Sequence, residues 1–471
     1  MKHRKLWLIL ASLLSLALIA SACGSDDDDD AGEPPPTTAA TTTTEAATTT
    51  TEEPMDEEPM DEESMSGLEG TSVRIFGPES SDEEAGAFQD AVDVFGDRTG
   101  IDIEYVGARD FSDQINLQVT EGNAPDIAVF PQPGKVADFA RDGFVLPLPD
   151  DVRATAEASW PASWNAFGVV DGVQYAIPTK ADLKSLVWYQ PARFEAAGYD
   201  IPETWDEFKD LVDEMIANGD TPLCVGIESG PATGWTFTDW IEDLMLRFHP
   251  PEQYDAWVAG DLPFSSPEVR QVWNEVLDLW NTEGAVFAVG GSIASTPFGA
   301  SGAPLVAGDC FMHRQASFFA AFMPEGTPYA DGSEEAVDVF YFPSVGEERP
   351  ALVAGTIVAA FSDRPEVWAV MEYLASAEYA TERQKAQKAR TGNQLSGFLS
   401  AALNQDLSYY SPLEQSFLNI LTTADIARFD ASDLMPAAVG SGTFWSEGTA
   451  AVTGEKSVEE ATADIDDSWP S

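Results

Sequence analysis

The stretch SGPATGWTFTDWIEDLMLR (229–247) sets Trp235, Asp239 and Trp240 close together. That mixture has a specific chemical use. A sugar offers an apolar C–H face and a rim of hydroxyls, so a pocket for one needs flat aromatics beside carboxylates or amides. Trp235 and Asp239 are the ligand-facing candidates, Trp240 reads as core, and Glu242 and Asp243 read as solvated carboxylates. Thr238 is expected to cap the helix that carries them, with 233–235 forming the loop before it.

Other chemistries find less support. The chain has no G-x-S-x-G elbow and no H-E-x-x-H, and the loop Val289-Gly290-Gly291-Ser292 lacks the Lys-Ser/Thr that completes a phosphate loop. His249 and His313 are the only histidines past residue 22, and His313 reads as structural. Cys224 and Cys310 lack zinc-ligand spacing, so no metal, cofactor or catalytic group is expected. A glycosidase needs only two carboxylates at a suitable separation, and among 81 Asp and Glu residues that chemistry stays open. A polyamine or peptide binder also stays open, since carboxylates can cage an ammonium. The formal charge of −57 argues against nucleic acid, whose phosphates would be repelled. Most of the acidic excess lies outside the N-terminal tract, as in a solvated surface suited to salty surroundings.

At 471 residues the chain is long enough for two lobes. A strand over 72–76, a helix with Phe88, Ala91, Val92 and Phe95 on one face, a strand over 101–106, a helix over 111–121 and a strand over 128–130 predict a parallel sheet flanked by helices. Ligands of such sheets sit outside the carboxyl ends of the strands. The loops Gly77-Pro78-Glu79-Ser80 and Phe130-Pro131-Gln132-Pro133 are therefore of interest. Glu79 reads either as a sugar-hydroxyl acceptor or as a solvated carboxylate, and Gln132 shares the second loop. Thr204 and Glu207 have capping-box spacing ahead of a helix over 205–217, and Ser266 precedes another over 267–280. Strands are expected over 222–227, 337–343 and 352–361. Gly355 and Thr356 lie inside the last, where a glycine marks close approach of another group. Arg390 is expected in a loop.

The order Y-x-I-P, L-x-W-Y, F-x-x-A-G-Y and P-x-T-W-D-E-F across 174–208 resembles the extracellular solute-binding proteins of sugar-importing ABC transporters, of the maltose and α-glucoside type. The segments GNAPDIAVF (122–130) and ATGW-x-x-TDW-x-ED (232–243) extend the likeness. The resemblance implies an α/β, two-lobed, type II periplasmic-binding-protein-like fold, each lobe a mixed, mostly parallel sheet flanked by helices, with ligand in the cleft between them. It implies that the chain crosses between lobes near 181–186, beside Lys180, and returns near 351–355, with lobe one as 67–184 plus 353–408 and lobe two as 185–352 plus 409–471. It makes Phe130 a stacking aromatic, with a core role as the alternative. Gln315 and Phe318 fall near the family's cleft-lining aromatic turn, Gly355 and Thr356 face the cleft, and Asp430 and Trp445 edge it. Lys180 and Arg390 complete the expected ligand set.

The cysteines also follow this reading. In an exported protein the pair Cys224 and Cys310 suggests a disulfide, as in related α-glucoside binders, and two buried thiols are the alternative. Residues 1–22 have a basic start, an apolar core and small residues before Cys23, as in a secretory signal. The ending Ala20-Ser21-Ala22-Cys23 resembles a bacterial lipoprotein signal, with Cys23 becoming the lipidated residue; ordinary cleavage near Ala22 is the alternative. Residues 23–66 are an acidic, Thr/Pro-rich tract that reads as a disordered tether. The expectation is an exported monomer, lipid-anchored at the outer face of the cytoplasmic membrane. It would capture maltose, trehalose or a similar α-linked di- or oligosaccharide for an ABC permease.

Overall fold

The computed structural model describes residues 67–470 apart from 393, 394 and 425. The expected signal, Cys23 and the tether all lie outside them. Among the described residues no helix is long and apolar enough to cross a membrane.

The first sheet takes β1 (Ser72–Gly77), β2 (Asp102–Gly107), β3 (Ile127–Phe130), β6 (Ala176–Leu183), β12 (Ala351–Ala360) and β13 (Ala427–Phe429). β1 pairs in parallel with β2 and β3. β12 runs antiparallel to β3 and β6 and parallel to β13. A small hairpin, β4 (Val169–Val170) and β5 (Val173–Gln174), stands apart. The second sheet has the order β11 (Asp338–Tyr341), β7 (Leu186–Tyr189), β10 (Met312–Arg314), β8 (Leu223–Cys224) and β9 (Val286–Phe287). The apolar run over 175–189 is therefore two strands in two sheets, with Lys184 and Ser185 between them. β13, assigned with lobe two from the sequence, joins the first sheet instead.

Local chemistry accounts for the elements. The Asp82–Thr99 helix starts where the Ser81 hydroxyl accepts from the Glu84 N–H, buries Phe88, Val92 and Phe95, and stops at Gly100 in the left-handed region. Thr204 and Glu207 form the full capping box that opens Trp205–Asn218. One core, with Trp205, Phe208, Trp240 and Trp273, fills the second lobe. Two others, around Phe88 and Phe95 and around Phe111 and Phe130, fill the first. A fourth, with Trp160, Leu183, Trp188 and Phe417, draws on both sheets. Cys224 and Cys310 are joined by a disulfide across a Cα–Cα distance of 5.7 Å. His313 lies buried beside it with Nδ1 2.9 Å from the Cys224 carbonyl, and burial pushes its pKa down to about 4. That fits a neutral structural imidazole.

Candidate functional site

A cleft opens between the lobes where the loops after β1 and β3 meet the second lobe. Pro78, Glu79 and Gln132 supply one wall, and Trp235, Phe298 and Phe318 the other. Its floor comes from β6 and β12, the strands nearest the crossings, with Lys180, Asp182, Gly355 and Thr356. Gly355 is required here, because a Cβ would overlap the Lys180 carbonyl on the paired strand. The neighbouring hydroxyls of Thr179 and Thr356 lie 3.0 Å apart.

Two lysines, four residues apart on one stretch of chain, each gather carboxylates, but differently. The Lys180 ammonium lies 3.4 Å from Glu79 and 3.6 Å from Asp182. Arg383, from the Ala377–Thr391 helix, reaches Glu79 from behind at 2.9 Å. Burial opposes ionisation of Glu79, yet Arg383 and Lys180 hold its pKa below the usual carboxylate value. Asp182 fares worse: burial outweighs Lys180 and Lys184 and lifts it to about 6. Among the described residues its Oδ1 has no hydrogen-bond partner, although Asp182 is only 5% exposed. Trp445, also in the cleft wall, has a buried indole N–H with no partner among the described residues. A buried polar atom without a partner costs free energy, so an acceptor and a donor of this kind fit a ligand that supplies both.

Lys184 is held more tightly by contrast. Its Nζ lies 2.6 Å from both Asp239 and Asp430. Burial opposes its charge, but these carboxylates raise its pKa above the ordinary lysine value. Behind it Arg314 stands 3.5 Å from Asp239 and 2.8 Å from Asp243, and Asp243 also pairs with Arg247. Ser185 donates to Asp243 and accepts from the Leu352 N–H, each at 2.9 Å, so the network touches both lobe crossings. Asp430 is held well below the usual range despite burial, by Lys184 and by hydrogen bonds from Glu242 and Ser432. Burial and the nearby Asp430 charge push Glu242 far up, which fits a neutral acid donating to Asp430. Burial lifts Asp239 to about 7. Asp239, Glu242 and Asp430 come close enough to hold a metal ion, but the Lys184 ammonium already supplies the cation between two of them.

Of the expected ligand residues, the cleft brings together Glu79, Gln132, Lys180, Trp235, Asp239, Phe318, Gly355, Thr356 and Asp430. Three lie elsewhere. Phe130 is fully buried, packed against Phe111 and Phe139 with ring centroids 5.4 and 6.0 Å away, because the strand end points into the core. Gln315 turns its amide oxygen back onto the Ala316 N–H at 2.7 Å. Arg390 sits in the last turn of a helix and pairs with Asp90 on the surface. Glu242 and Asp243 are fully buried, not solvated. Their spacing from Asp239 and Arg247 places all four on one helix face, where Lys184 and Arg314 meet them. Thr238 is internal to its helix, which begins at Trp235 after Gly234. Residues not singled out from sequence include Asp182, Lys184, Arg109 and Asp433. Asp182 and Lys184 carried a signal, being charges inside an otherwise apolar run.

The family model for the bacterial extracellular solute-binding protein matches residues 80–381. The osmoprotective compounds-binding protein GgtB of Synechocystis sp. is 40% identical over 395 residues, which cover 82% of this chain and 90% of that protein. The alpha-glucosides-binding periplasmic protein AglE of Rhizobium meliloti is 36% identical over 421 residues, covering 86% and 88%. A structure from work on xylan utilisation by Caldanaerobius polysaccharolyticus superposes with a TM-score of 0.69 at 16% identity, covering 84% of this chain and 99% of that one. The two-lobed fold with an interlobe cleft is thus shared well beyond recognisable sequence likeness. On its matched length and on the identity to both relatives, the chain belongs to the bacterial extracellular solute-binding proteins.

Proposed function

We propose that this protein captures an α-linked di- or oligosaccharide of the maltose, trehalose or α-glucoside type and passes it to an ABC permease. The observation that carries the reading is the wall chemistry. Trp235 and Phe318 offer ring faces beside an unpartnered acceptor on Asp182 and an unpartnered donor on Trp445. A sugar ring has the apolar face for the first pair and hydroxyls that both give and accept for the second. A relative named for binding α-glucosides supports the same class. No turnover is expected, because the charged groups of the cleft are tied to one another. Lys180 and Glu79 contact ligand, and closure of lobes 67–184 plus 353–408 and 185–352 plus 409–471, with β13 carried by the first sheet, about the crossings at 181–186 and 351–355 makes the full set of contacts. Cys23 carries the lipid that holds the exported monomer at the membrane through residues 23–66.

Calorimetric titration with maltose, trehalose, sucrose, maltotriose, spermidine and a peptide mixture tests this, with the incubated sugars checked for cleavage. Saturable binding of a sugar without cleavage is the expected result. Cleavage would make the protein a glycoside hydrolase, and heat with spermidine or peptides alone would move it to that ligand class.

A further inference from the structure

Arg109 sits in the turn between β2 and the Phe111–Thr120 helix, on the first lobe. Its guanidinium stands 5.3 Å from the ring centroid of Phe298 and 5.7 Å from that of Phe322, both on the second lobe. All three residues line the cleft. The arginine is aimed from behind by Glu84, whose carboxylate lies 3.4 Å from it and also accepts from the Ser81 hydroxyl at 3.2 Å. Glu84 is itself buried, and its main-chain carbonyl accepts from Arg383 at 3.1 Å. A surface arginine without a role across the cleft would need no such support.

The receiving rings are also built in. Phe298 and Phe322 lie 5.1 Å apart, and Phe298 stands at the same distance from Trp235, so the arginine rests on an extension of the aromatic wall. Other contacts also cross between the lobes, among them the Lys180 ammonium 5.3 Å from the ring centroid of Phe318. The Ala437 N–H donates to Asp138 at 3.0 Å, and a side chain at Gly134 would overlap the Met435 carbonyl. The Arg109 contact depends on one flexible side chain that can swing away.

We propose that Arg109 is a latch between the lobes and, by occupying the gap beside Phe298 and Phe322, limits the protein to short glycosides. This rests on the sugar reading above. A chain that continued past the aromatic wall would have to displace the guanidinium and lose both of its ring contacts. A disaccharide held against Trp235 and Phe318 leaves them in place, so closure and ligand length become one property of the same side chain.

The test compares the wild-type protein with Arg109→Ala and Arg109→Lys. Affinity and dissociation rate are measured for maltose, maltotriose and maltotetraose, and solution scattering is recorded without ligand. Arg109→Ala should release maltose about tenfold faster and shift the maltotetraose-to-maltose affinity ratio upward by about tenfold, with a more open ligand-free particle. Arg109→Lys, which keeps charge but not the planar face, should fall between. Unchanged rate and ratio would overturn the latch. Should the wild type bind none of the three, the sugar reading fails alone, and the latch is judged on scattering: identical ligand-free curves for the wild type and Arg109→Ala overturn it. Should Arg109→Ala not fold, Phe322→Leu, which removes a receiving ring, is read by the same criteria.

Discussion

Lys180 and Lys184 lie on the same stretch of chain, and the contrast between them separates binding from building. Both are buried and both gather carboxylates. The Lys184 partners stand at 2.6 Å, whereas those of Lys180 stand at 3.4 and 3.6 Å. Around Lys184 the charges are bonded onward to Arg314, Ser432 and Glu242. Beside Lys180 the Asp182 Oδ1 has no partner among the described residues. The Lys184 ion pairs tie the link after β6, the Trp235–Phe248 helix and the segment after β13 together, although Asp239 Oδ2 and Glu242 Oε2 in that network are without hydrogen-bond partners among the described residues. The partnerless Asp182 acceptor, beside the looser ion pairs on the cleft floor, carries a desolvation cost that a ligand can relieve. The carboxylate count alone would rank the two alike.

The contrast is broken most severely by Lys184→Met. Removing the cation leaves Asp239 and Asp430 buried without compensation, and a loss of about 3–5 kcal/mol is expected in a denaturant or thermal melt. Asp182→Asn should do the reverse. Ligand affinity falls about ten- to hundredfold, from loss of a hydrogen bond to a charged acceptor worth about 1.5–3 kcal/mol, while the ligand-free protein melts no lower.

pH sharpens the same comparison. Burial raises Asp182 from 3.8 to about 6, so the native protein keeps a proton that the unfolded chain has released. Stability contributed by this group is therefore present below the unfolded value and declines as pH rises from about 4 to about 6. Affinity should move the other way, rising with pH through about 6 as the carboxylate ionises and accepts ligand hydroxyls. In Asp182→Asn the slope from this group should vanish. The smallest effect belongs to Arg390→Ala, which breaks a half-exposed surface pair with Asp90. Stability should change by less than about 1 kcal/mol and affinity not at all.

Much of the fold was legible because its signals are local. Ser81, Thr204 and Ser266 cap helices where their spacing put them, and Gly100 and Gly219 end them in the left-handed region. The parallel βαβαβ order of the first sheet followed from alternating periodicities, and it pointed to the loops bearing Glu79 and Gln132. The side-chain directions were not local. Phe130 ends the expected strand but points into a core shared with Phe111 and Phe139, which periodicity over a short apolar run cannot decide. Glu242 and Asp243 looked solvated because most of the groups that meet them, Asp430 and Ser432 for Glu242 and Arg314 for Asp243, are far away in sequence, and Arg247, one helical turn on, gave no sign of burial by itself. The pair at Cys224 and Cys310 was readable from cysteine count and export together.

The central claim is that the unpaired acceptor beside Lys180, not the tightly ion-paired cluster around Lys184, takes the sugar. Parallel calorimetric titration of the wild-type protein and Asp182→Asn with maltose and trehalose at neutral pH tests it most directly. The account predicts saturable wild-type binding of at least one of the two, weakened about ten- to hundredfold in the variant, with both proteins equally folded. Equal affinities for wild type and variant would contradict it.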